Sequence, residues 1–296
     1  MVSIADPERL HRLLAASHSD RLNPSAENGD WERALQREFD IRLIEHRFVE
    51  AERREVASLA AKVHHDPSKF VRWFESLEQE GPGQHDPLFP WLAAHASYDQ
   101  MCWFLSQEVA GEAGFEDLVA LTQVKLPERA KLEMARNYWD EMGQGSAAGM
   151  HGPMLSRLAR ALGLRDTDET VWESLALGNL MVALAMDRHY AYQSVGALGV
   201  IELTAPGRAK LVNAGLKRLG VPGMVRQYFA LHATLDVRHS AAWNAEVLAP
   251  LVEQNPEAAH CIAEGALLRL RAGARCFERY RRELWSSRFP IQLASA

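Results

Sequence analysis

Apolar residues recur at helical spacing along nearly the whole chain, while β-branched alternation bounded by turn dipeptides is scarce. The pattern predicts an all-α protein. Helices are expected over Pro7–Ser17, Asp30–Val63, Pro67–Glu78, Pro87–Val124, Pro127–Glu141, Pro153–Leu162, Thr167–Ser194, Ala205–Leu219, Met224–Glu253 and Pro256–Trp285. Several open at proline, whose missing N–H is not needed in a first turn, and Gly163 and Gly220 read as stops. The segment Gly81-Pro-Gly-Gln-His-Asp-Pro87 is the best linker candidate. It divides an N-terminal helical arm, residues 1–84, from a main bundle, residues 85–296, as parts of one compact unit. No internal repeat or low-complexity tract interrupts the pattern.

One stretch is polar where the apolar stripe should continue. His232-Ala-Thr-Leu-Asp236-Val-Arg-His239 sets two imidazoles and a carboxylate at i, i+4 and i+7, one face of a helix. Tyr228, Phe229, Leu235 and Trp243 are apolar at helical spacing around it, which turns the triplet inward. Three titratable groups facing inward are costly unless something neutralises and orders them. A metal does both, and imidazole with carboxylate suits iron, manganese or zinc. A solvated surface helix is the alternative that this stretch alone leaves open.

Composition narrows the classes. A 296-residue chain with formal net charge −6 and no block of basic residues has no electrostatic footprint for nucleic acid or a membrane surface. The longest apolar run, around Leu175–Met186, is interrupted by Gly178 and Asn179 and falls short of a bilayer span. The opening residues carry acids and lack the apolar core of a secretory signal. Cys102, Cys261 and Cys276 form no CxxC pair, which excludes a thiolate zinc site and fits a cytoplasmic protein.

Further candidate ligands lie on inward stripes. Glu108 follows Phe104 and Leu105, Glu141 follows Met134 and Tyr138, His151 precedes Met154, Leu155 and Leu158, and Glu202 ends a run of small residues. Were Pro87–Val124 and Pro127–Glu141 antiparallel neighbours, Glu108, sixteen residues before Val124, would face Glu141, seventeen after it. The same arithmetic sets Asp99 opposite Met150, a weaker match. Four carboxylates (Glu108, Glu141, Glu202, Asp236) and three imidazoles (His151, His232, His239) exceed one coordination sphere and suit two divalent ions. A ferritin-like arrangement needs two Glu-x-x-His motifs, and only Glu257-Ala-Ala-His260 is present.

In combination, the Glu108 helix, Asn137-Tyr-Trp-Asp-Glu141 with His151 ten residues on, Gly199-Val-Ile-Glu202 and His232-x-x-x-Asp236-x-x-His239 resemble the haem-oxygenase-like diiron oxidases and oxygenases, or iron-containing redox enzymes. The resemblance spans roughly Pro90 to Tyr280. It implies a seven-helix haem-oxygenase-like bundle, here with the extra N-terminal arm, that holds two irons in place of haem. Glu108, Glu141, His151, Glu202, His232, Asp236 and His239 would be the ligands, with O₂ as co-substrate and an external reductant. Members hydroxylate nitrogen, desaturate, or cleave carbon–carbon bonds in amines, amino acids or fatty acids. The resemblance also implies a ligand helix that is labile until metal binds, and it leaves room for a homodimer.

Arg188 and Tyr192, upstream of Glu202, are candidate substrate contacts through a bidentate guanidinium and a phenol. Structural pairing to neighbouring helices is the competing role for Arg188. His64-His65-Asp66 precedes Pro67 at a helix start, where Asp66 reads as an N-cap rather than a ligand. The competing functional classes are a true haem oxygenase and a non-catalytic helical metal-binding protein.

Overall fold

Aspartates start the first three helices. Asp6, Asp30 and Asp66 each accept a hydrogen bond from the backbone N–H three residues on, so α1 (Pro7–Leu22), α2 (Trp31–Ala60) and α3 (Pro67–Glu80) begin at side-chain caps. The structure is a computed structural model that describes residues 6–24, 30–164 and 169–286, and no strand occurs among them. After the arm come α4 (Leu88–Ala94), α5 (Tyr98–Gly111), α6 (Phe115–Thr122), α7 (Glu128–Glu141), α8 (His151–Ala161) and α9 (Trp172–Met186). The chain ends in α10 (Ala191–Arg218), α11 (Gln227–Trp243), α12 (Ala249–Gln254) and α13 (Ala258–Leu284). No helix among the described residues is long and apolar enough to cross a membrane.

Helix α10 is the central pillar, packed on α13, α11 and α4, while α9 is flanked by α1, α5 and α13. The arm shares the main core. Leu10, Leu14, Phe48 and Val49 are buried in one cluster with Leu180, Leu184, Leu198 and Ile262. A second cluster around Phe89, Phe104, Phe277 and Tyr280 closes the other side.

Three departures from the periodicity bear on the site. The expected helix Pro87–Val124 is three helices. Ser97 forms a capping box with Gln100 that restarts the chain as α5, and Gly114, at φ +74°, breaks it again before α6. Helix α7 consequently packs on α6, the opposition of Glu108 to Glu141 expected from one continuous hairpin is lost, and so is the reason to pair them.

The expected interruption around Ser194–Ala205 is absent. Helix α10 runs through Gly196, Gly199 and Pro206. Its glycines mark helix crossings rather than ends: a Cβ on Gly196 would lie 1.9 Å from the Ile262 carbonyl oxygen, and one on Gly265 of α13 1.7 Å from that of Gln193. The expected helix from Thr167 begins at Trp172, and Thr167 itself lies outside the described residues.

Finally, Met224–Glu253 divides at a π-helical turn, Asn244–Leu248, between α11 and α12. Pro250 accounts for it, because a proline clashes with the carbonyl four residues back and supplies no N–H.

Candidate metal centre

Four helices converge on one cluster. Its organising element is the loop from α7 to α8, where Gly143, Gln144 and Gly145 take φ of +61°, +52° and +85°. That path folds the chain back so that Met142 and Met150 form an antiparallel bridge. A Cβ on Gly143 would lie 2.3 Å from the Gly149 carbonyl carbon, so only glycine permits the approach. Glu141 immediately precedes the bridge and His151 immediately follows it. Their side chains meet, with His151 Nδ1 2.5 Å from Glu141 Oε2.

Helix α10 brings Glu202 and α11 brings His232, Asp236 and His239. Two groups of potential ligands result: Glu141, His151 and His232, and Glu141, Glu202 and His239. Glu141 belongs to both. His239 Nδ1 lies 3.5 Å from Glu202 Oε1 and 4.0 Å from Glu141 Oε1. Asp236 is buried beside them and lines the same cavity.

Polar neighbours fix the ligand orientations. The His239 Nε2 donates to Asp140 Oδ2 at 3.1 Å, which turns Nδ1 toward the two glutamates. The His232 Nδ1 donates to the Tyr228 carbonyl at 2.7 Å, leaving Nε2 as the free lone pair. Asn137, one turn before Glu141, donates to Glu202 Oε1 at 2.5 Å. Asn137 was missed in the sequence, although its place one turn before Glu141 was the signal that could have found it; Asp140, off that face, gave none.

The cluster without a cation is electrostatically unsatisfied. Asp236 Oδ1, His151 Nδ1 and His239 Nδ1 are buried without a hydrogen-bond partner, since the close approach of His151 to Glu141 is off the line a hydrogen bond requires. Burial and the negative charge of Glu202 push Glu141 up to about 9. Burial, Glu202 and Glu141 push Asp236 up to about 10. Burial and His151 push His232 down to about 4. For His239, burial is outweighed by Glu202, Asp140 and Glu141, which raise it to about 9. Buried lone pairs that face one another, on nitrogen and oxygen only, are what divalent iron fits.

Glu108 belongs to neither ligand group. It faces Arg208, Arg269 and Tyr280 elsewhere in a cavity of about 180 Å³ that opens from the cluster. Glu112 and Glu116 line the same cavity, and Glu116 lies over Gly152 at the start of α8. Leu155, Leu177, Met181 and Ile201 supply apolar wall. Arg208 and Arg269, overlooked in the sequence, stand on stripes of small and apolar residues, and that was their signal. Arg188 and Tyr192 are not among the lining residues. Arg188 donates to the Leu121 and Thr122 carbonyls at the end of α6, and Tyr192 packs against the main core. Asp66 caps α3, as its position before Pro67 predicts. His64 is exposed, and His260 lies 3.4 Å from Glu264, outside the cluster.

The iron-containing redox enzyme family matches residues 102–274, and the chain belongs to that family. This makes it an oxidoreductase at family level, with an all-α haem-oxygenase-like bundle. Two crystal structures of a CADD-like protein of unknown function from Nostoc punctiforme share the fold. One has a TM-score of 0.59 at 17% identity, over 74% of this chain and 99% of that one. The other has a TM-score of 0.58 at 17% identity, over 76% and 99%. No curated protein matches the chain.

Proposed function

We propose that this chain is a non-haem diiron enzyme that activates O₂ to N-oxygenate, desaturate or oxidatively cleave a small metabolite bearing an amine or a carboxylate. The observation that carries the reading is Glu141, shared between two ligand groups that together draw on α7, α8, α10 and α11. A carboxylate has two oxygens, so one side chain can serve two ions and screen their repulsion. Glu141, His151, Glu202, His232 and His239, which compose the two groups, would hold the metals together with Asp236, whose buried Oδ1 lacks a hydrogen-bond partner close to Glu202 and Glu141, whereas Glu108 stands apart with the arginines. Bound there, ferrous iron would supply the electrons for O₂ reduction, which an external reductant would replace.

The protein's own contribution is positional. Asp140 and the Tyr228 carbonyl hold the imidazoles of His239 and His232, and Asn137 orients Glu202. Apolar wall lines the cavity beside the cluster and leaves room for a small molecule. A cytoplasmic setting accords with three cysteines that form no disulfide among the described residues.

Spectroscopy on the iron-loaded protein tests this. The expected result is weak near-ultraviolet absorbance without a Soret band, and a transient visible band on mixing the reduced protein with O₂. A Soret band after reconstitution with haem would indicate a haem oxygenase. Reduced protein indifferent to O₂ would indicate a metal-binding protein without this chemistry.

A further inference from the structure

The cavity holds two cations that the metal centre does not use. Arg208 rises from α10 and Arg269 from α13, and both line the cavity beside Phe89, Phe277 and Tyr280. Neither guanidinium forms an ion pair among the described residues, and the Nε of Arg269 is buried without a hydrogen-bond partner. Both arginines are half-buried, and both line the cavity wall. A buried unpaired guanidinium is costly, and two in one cavity are more so.

Both are nevertheless held in place. Arg208 donates to the Thr204 hydroxyl at 3.1 Å, and its guanidinium carbon lies 5.6 Å from the Phe277 ring centre and 5.9 Å from that of Phe89. Arg269 lies against Gly273, where a Cβ would come within 2.9 Å of Arg269 Nη1. Glu108 is near enough to attract both arginines without contacting either.

The arginines lie away from the ligands. Arg208 follows Glu202 by six residues on one helix, a rise of about 9 Å, and α13 contributes no residue to either ligand group. Apolar wall, including Ile201 and Leu177, lines the cavity as well. Two fork-shaped donors beyond a greasy passage are suited to a planar anion with an apolar body.

We propose that Arg208 and Arg269 anchor the carboxylate of the substrate at the end of the cavity away from the metal ligands, so that the enzyme oxidises an organic acid at a position remote from its carboxyl group. The oxidation rests on the diiron reading. The anchor itself is a property of the cavity. A substrate ammonium held by the glutamates is the less favourable arrangement. Burial pushes Glu108 and Glu112 toward their neutral forms, and Glu112 already accepts from the Phe115 N–H at 3.2 Å.

The test is calorimetric titration of the full-length protein, loaded with Mn(II), with octanoate, octanamide and octylamine. Octanoate is expected to bind at least about tenfold more tightly than octanamide. R208M and R269M should each lose that margin, and E141A, unable to hold metal, should keep it. R269K should retain part of the margin, and thermal melts establish that each variant is folded. Equal binding of octanoate and octanamide, tighter binding of octylamine, or no binding of octanoate overturns the proposal. A margin kept in R269M but lost in E141A places the carboxylate on the metal and overturns the anchor alone. An intact octanoate margin in a protein that takes up one iron would instead sink the diiron reading and leave the anchor standing.

Discussion

Met142 and Met150 pair as an antiparallel bridge across the α7–α8 loop, and that pairing presses Glu141 against His151. The ligand pair is therefore set by backbone geometry in the loop as much as by the helices on either side. Gly143 is the point at which the geometry is most exposed to change, because it combines φ of +61° with backbone contact to Gly149. Gly143→Ala is expected to destabilise the protein by about 1–3 kcal/mol and to weaken iron binding. Urea denaturation and iron titration of the variant check this; wild-type stability and iron uptake would show that the loop does not position the pair.

The sharing of Glu141 makes an asymmetric prediction about stoichiometry. Anaerobic Fe(II) loading should give about two irons per chain, since the ligands exceed one coordination sphere. Glu141→Ala should lose both ions, whereas His232→Ala should lose one. Metal analysis with anomalous scattering measures the outcome. A single ion in the wild type, or equal losses in the two variants, would contradict a shared ligand.

Ligands should separate cleanly from bystanders. His239→Ala and Asp236→Ala are expected to abolish the reaction of the reduced protein with O₂ while the fold survives, because most of the core is remote from the cluster. His64→Ala and His260→Ala should oxidise at the wild-type rate, since one is exposed and the other pairs with Glu264. Stopped-flow absorbance decides between ligand and bystander for each residue.

The metal-free protein should lose stability as pH rises. Glu141, Asp236 and His239 have folded pKa values raised to about 9, 10 and 9. The folded state therefore holds protons that the unfolded chain releases, and their contribution disappears as pH climbs through those values. His232, lowered to about 4, acts oppositely, but only between its folded value and its unfolded one of 6.5. Above pH 6.5 the raised groups act without opposition, and stability falls steadily toward pH 9. Bound metal should reverse the trend, because its ligands must be deprotonated. Denaturant melts at several pH values, with and without chelator, measure both slopes.

Chelation should also loosen α11. Asp236 and His239 are buried on it, and without a cation Asp236 Oδ1 and His239 Nδ1 have no partner. Amide hydrogen exchange across Met224–Glu253 should accelerate when metal is removed. Equal protection with and without metal would mean that packing alone holds the helix.

What the amino-acid sequence determined by itself was local. Helical periodicity is written into neighbouring residues, so α2, α3, α8 and α13 were legible within a few positions, and so was the inward face carrying His232, Asp236 and His239. The residue types, imidazole and carboxylate without thiolate, already specified the kind of metal chemistry. Only the tertiary structure decided which of these groups meet. Gly114 and the Ser97 cap redirect the chain, so Glu108 turns to the arginines although it sits on an inward stripe. Gly196 and Gly199 lie inside a continuous α10, whereas Gly143 and Gly145 shape a turn, because the effect of a glycine depends on the backbone packed against it. Arg208 and Arg269 are sixty-one residues apart, on helices that periodicity alone cannot place side by side. Their meeting in one cavity follows from the glycine-lined crossing of α10 and α13, a contact between distant segments that no local pattern encodes.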